Sequence, residues 1–60
     1  MHENDAKILI GKLVTFFLED FAKTGRVINV SDSAVTLKNN EGRISILNLS
    51  EIKSAMELRE

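Results

Sequence analysis

Sixty residues, 28% charged and 43% hydrophobic, hold one small domain at most. With no cysteine there are no disulfides and no thiolate metal sites, and with no proline the polyproline signature is absent. Eight Lys and Arg against nine Asp and Glu give a net charge of -1, so no global positive field draws in nucleic acid or anionic membrane.

A chain of this length buries only roughly 60% of the surface its unfolded form exposes, so it gains stability from a partner. The expectation is therefore a single domain over 1-60 that assembles. Residues 1-5, including the lone histidine His2, are expected to be frayed. A short helical lead-in is predicted from Asn4 to Ile10, capped by Asn4 or Asp5 and ended by Gly11.

The first strand is placed near 12-18. Leu13-Val14-Thr15-Phe16-Phe17-Leu18 does not alternate, so something apolar is expected on both of its sides, with Phe16 and Phe17 in the core. Glu19 to Ala22 is a charged turn, and a second strand follows near 23-31. In it Val27 is out of phase with Ile28 and Val30, just after Gly25. That pattern indicates a strongly bent strand.

Ser31-Asp32-Ser33 is a polar turn before a third strand near 34-39, where Val35 and Leu37 share one face and Thr36 and Lys38 the other. Asn39-Asn40-Glu41-Gly42 is the best turn signal in the chain. It leads to a fourth strand near 43-49, in which Ile44 and Ile46 oppose Ser45 and Leu47. A last strand is placed near 51-57. A helix competes over 51-58, because Ile52, Ala55, Met56 and Arg59 also have helical spacing and Ser50 could cap it. The sum is an all-β fold, a small five-stranded, strongly bent antiparallel barrel of the SH3-like type with a short N-terminal helix. Five strands leave an edge open, and pairing between subunits would use it.

The sequence offers catalysis little to work with. One terminal histidine, isolated glycines and the sequential Glu19 and Asp20 in a turn build no triad, phosphate loop or carboxylate pair, so the chain is read as a non-enzyme without cofactor or metal. What remains is binding. Between Phe21 and Arg43 the charges are Lys23, Arg26, Lys38 and Arg43 against Asp32 and Glu41, a local excess of 4 - 2 = +2. Arg26, Lys38 and Arg43 are candidates for phosphate contacts and Asn39 and Asn48 for polar base contacts, while Phe21 is open between core lid, subunit contact and ligand platform. No run approaches roughly 18 consecutive apolar residues. The start Met1-His2-Glu3-Asn4-Asp5 lacks the basic residues of a secretory signal, so a cytoplasmic location is expected.

Gly11 to Leu18, the Gly25-Arg26-Val27 step, the Asp32 turn, Val35 to Asn39 and the closing stretch Ile46 to Ile52 resemble the Sm-like family, which includes the bacterial Hfq proteins. The resemblance covers about four fifths of the chain. It implies a helix stacked on a five-stranded bent barrel. It also implies homo-oligomeric rings of six or seven subunits, joined by pairing of the fourth strand with the fifth of the next copy, that bind single-stranded RNA. Gly25 matches the family's glycine in the bent strand and Asp32 its turn aspartate. The pore asparagine of the Sm branch is replaced by Thr36, and the basic signature between the last strands by Leu47-Asn48-Leu49-Ser50, where Asn48 alone offers base-edge hydrogen bonds. Two expectations follow. One is a ring subunit binding single-stranded RNA without catalysis, and the other is a structural or protein-interaction barrel that binds no nucleic acid.

Overall fold

The computed structural model describes residues 1-59. In chain order it contains helix α1 (Glu3–Lys7), strands β1 (Leu13–Phe17), β2 (Ala22–Val30), β3 (Ala34–Lys38) and β4 (Ile44–Asn48), a 3-10 turn (Leu49–Glu51) and strand β5 (Ser54–Glu57). The fold is all-β. Its strands form one five-stranded sheet in the order β4-β3-β2-β1-β5, and every ladder is antiparallel. Among the described residues no ladder joins β4 to β5, so these two strands are the edges of the sheet.

The helix starts one residue earlier and ends three earlier than the sequence predicts. His2 takes the N-cap position in extended backbone and contributes no side-chain capping bond. Glu3 and Asp5 in the first turn and Lys7 in the last suit the helix dipole, and Glu3 pairs with Lys7 at 2.9 Å. The Met1 nitrogen donates to the Leu49 carbonyl (2.9 Å) and Ala6 N–H to that of His2 (3.1 Å).

In β1 the side chains alternate after all. Val14 and Phe16 are fully buried, whereas Phe17 lies on the opposite face and is 38% exposed. Among the described residues no second layer covers Phe17, which corrects its placement in the core. The outer face carries a cross-strand bond between the Thr15 and Thr24 hydroxyls at 2.7 Å.

The phase conflict in β2 is resolved by a bulge. Val27 pairs with Leu37 but Asn29 pairs with Thr36, so Ile28 is the extra residue. Val27 and Val30 thereby both reach the core, and Ile28 is turned out, 44% exposed. Gly25 serves close approach: a Cβ there would meet the Leu37 Cβ at 3.1 Å and the Lys38 carbonyl oxygen at 3.3 Å.

The Asn39–Gly42 turn is built around the Asn39 side chain, whose Oδ1 accepts from the N–H groups of Glu41 and Arg43, both at 2.9 Å. Gly42 follows at φ +81, a left-handed conformation that suits glycine. In β4 Leu47 faces the core, while Ile44 and Ile46 face outward. The chain then makes the 3-10 turn, buries Leu49 and Ile52, and returns as β5 against β1. The last strand thus begins at Ser54 rather than near 51, and Ala55 and Met56 lie in it rather than in a helix; the one 3-10 turn, Leu49–Glu51, precedes the residues whose spacing suggested a helix. Ala6 and nine strand and turn residues, Val14, Phe16, Val27, Val30, Val35, Leu37, Leu47, Leu49 and Ile52, make the single core.

Candidate nucleic-acid and assembly surfaces

Register fixes where the sequence-predicted cations lie. Leu13 on β1 pairs with Arg26 on β2, Arg26 with Lys38 on β3, and Lys38 with Ile44 on β4. Directly opposed residues share a face, so these four form one row across the outside of the sheet. Arg26 Nη1 donates to the Gly11 carbonyl at 2.7 Å, which fixes the guanidinium beside the start of β1. Arg26, Lys38 and Asn39 line one cleft of about 280 Å³ together with Leu13, Ile28 and Asn40. Arg43 sits next to it across the turn, its carbonyl accepting from Asn39 N–H at 3.0 Å.

Asn48 is not brought to this group. It pairs with Ala34 at the far end of the β3–β4 ladder. Four residues separate it from Ile44, about 13 Å along a strand. Its Nδ2 donates to Glu51 Oε1 at 2.9 Å, so a carboxylate occupies the amide that was expected to read a base. The oxygen of Asn39 is likewise committed to its own turn, leaving the amide nitrogen as the group that can donate to a ligand.

The end of the fold where the resemblance implies pore chemistry has a different character. Leu49 N–H donates to the Ser33 carbonyl at 2.9 Å, which brings the Asp32 turn against the 3-10 turn. Met1, His2, Glu3, Asp32, Ser33, Leu49 and Ser50 line the cleft there, with Glu3 and Asp32 and no Lys or Arg side chain. Thr36 is not in that turn; it lies mid-sheet between Asn29 and Ile46. A third cleft, of about 240 Å³, holds Phe21 (56% exposed) among Glu19, Asp20, Glu51 and Lys53. Phe21 is therefore no core lid.

The edges of the sheet carry apolar side chains. On β4 Ile44 is 54% and Ile46 68% exposed, and on β5 Met56 is 50% exposed. Met56 pairs with Thr15 and Ser54 with Phe17, so Met56 and Phe17 stand on the same outer face. Sequence alternation in β4 was clear, but it could not say which of its two apolar sets turned outward. No helix among the described residues is long and apolar enough to cross a membrane. Compared with protein-family models, with curated proteins and with solved structures, the chain matches none of them.

Proposed function

We propose that this protein is the subunit of a homo-oligomeric, Sm-like ring in which the free edge of β4 in one copy pairs with the free edge of β5 in the next. The observation that carries the reading is the coincidence of open backbone and exposed apolar side chains on both edge strands. An edge strand presents unpaired N–H and C=O groups, and such strands ordinarily carry charges or proline that discourage pairing. Here β4 carries Ile44 and Ile46, and β5 carries Met56 with Phe17 beside it. Pairing the edges satisfies the backbone and covers these side chains together. Its test is the solution mass of the native chain beside that of Ile46→Lys. The native chain is expected to be a closed multiple of the subunit and the variant a folded monomer.

A second reading, that the assembled ring binds single-stranded RNA without catalysis, is favoured by the adjacent Arg26 and Lys38 with Arg43 close by. The Asn48–Glu51 bond and the acidic cleft at Asp32 favour instead an assembly or protein-interaction module that leaves RNA alone. Titration with short single-stranded RNA at two salt concentrations separates them, since phosphate contacts make affinity fall steeply with salt.

A further inference from the structure

Phe21 precedes β2 and belongs to neither edge strand, so pairing of β4 with β5 gives it no role. It stands 56% exposed in the cleft of about 240 Å³ that it shares with Leu18, Glu19, Asp20, Ser50, Glu51 and Lys53. We propose that this cleft docks an arginine side chain from an extended segment of a partner protein, with the guanidinium stacked on Phe21 and its N–H groups donating to Glu19 and Asp20. The inference deepens the protein-interaction reading above and rests on it for the choice of a peptide. It depends neither on ring formation nor on RNA.

The fold brings the parts together from two sides. Leu18 N–H donates to the Phe21 carbonyl at 2.8 Å, which closes the β1–β2 connection with Glu19 and Asp20 at its exposed tip. Lys53 N–H donates to the Phe17 carbonyl at 2.8 Å and lays the segment between the 3-10 turn and β5 alongside. Asn48 Nδ2 holds Glu51 at 2.9 Å, so that carboxylate is ordered before any ligand arrives. Lys53 against Glu19, Asp20 and Glu51 gives the cleft a charge of 1 - 3 = -2, and among the described residues no ion pair joins Lys53 to these carboxylates. Such a field attracts a cation. The aromatic ring is what distinguishes this cleft, since the one at Asp32 has two carboxylates and no aromatic residue. A ring next to negative charge favours a cationic guest that can lie on its face. Arginine suits both features better than lysine, because its planar guanidinium stacks on a ring while its fork of donors reaches carboxylates. The volume is below the roughly 300 Å³ at which small-molecule sites begin, which suits one side chain rather than a whole metabolite.

The full-length chain, isotope-labelled for NMR, is titrated at low and high salt with a capped glycine pentapeptide carrying arginine at its centre. The same peptide with lysine or with neutral citrulline in that place is the comparison, and Phe21→Leu and the double variant Glu19→Gln, Asp20→Asn are titrated alongside. All three side chains are exposed, so both variants are expected to keep the rest of the spectrum. The arginine peptide is expected to shift the amides of residues 18–21 and 50–53 and to bind more tightly than the lysine peptide, with no binding of the citrulline peptide. Phe21→Leu keeps an apolar side chain and loses the ring, and should weaken binding about two- to fivefold. The double variant should weaken it about as much at low salt, with the difference fading at high salt. No shift at these residues, equal binding of the lysine or citrulline peptide, or unchanged affinity in both variants overturns the proposal. Shifts centred on another surface overturn the cleft and spare the protein-interaction reading.

Discussion

Arg26 and Lys38 stand directly opposite each other on β2 and β3, on the face of the sheet that points away from the core. Their neighbours in the same row are Leu13 and Ile44. Two of the four cations in the middle of the sequence are thereby placed in one row, while Lys23 pairs with Phe16 elsewhere on β2. Replacing one cation by an anion should relieve the repulsion. Lys38→Glu is expected to raise the urea midpoint slightly at low salt, with the gain vanishing at high salt, and to abolish any affinity for phosphate-bearing ligands. An unchanged or lowered midpoint at low salt would count against the cross-strand repulsion.

Phe16 and Phe17 are adjacent in sequence and on opposite faces, so their substitution should have opposite consequences. Phe16 is fully buried, and Phe16→Ala is expected to cost about 3–5 kcal/mol, enough to unfold so small a domain. Phe17→Asp leaves the core intact and should fold, yet lower the oligomeric mass because it charges the face beside Met56. Circular dichroism with light scattering distinguishes the two. An unfolded Phe17→Asp would mean that the outer face is covered within the chain.

Gly25→Ala tests the close approach of β2 and β3. The added methyl would meet Leu37 Cβ at 3.1 Å and the Lys38 carbonyl at 3.3 Å, neither of which is the free end of a flexible side chain. A loss of about 1–3 kcal/mol in denaturant titration is expected. A neutral result would show that the strands part at little cost.

Asn39→Ala removes the acceptor of two backbone N–H groups in the β3–β4 turn. Both amides are exposed and can turn to water, so the expected cost is about 1 kcal/mol, with faster amide exchange at Glu41 and Arg43. Exchange rates that do not change would remove Asn39 from its role in the turn.

Much of the fold is legible in the residues. Val35 and Leu37 against Thr36 and Lys38, and Asn39 followed by Gly42, specify β3 and its turn by period and by backbone tolerance alone. Val27 being out of phase with Val30 indicated a bent strand, but periodicity does not say which residue bulges. That depends on pairing with β3, which is a non-local property. Composition alone likewise makes the apolar run Leu13–Leu18 look covered on both sides, whereas Val14 and Phe16 turn inward and Thr15 and Phe17 outward. Of the candidate site, Arg26, Lys38 and Asn39 do converge, because β2 and β3 pair with Arg26 opposite Lys38. Asn48 does not, and its bond to Glu51 arises from a 3-10 turn that the sequence signals only weakly.

The central claim is that smallness is resolved by assembly through the two free edges. Light scattering on the native chain across a wide concentration range tests this most directly. The account predicts one closed species whose mass is a fixed multiple of the 6.7 kDa chain, reduced to a folded monomer by Ile46→Lys. A native chain that remains a folded monomer at every concentration would contradict it.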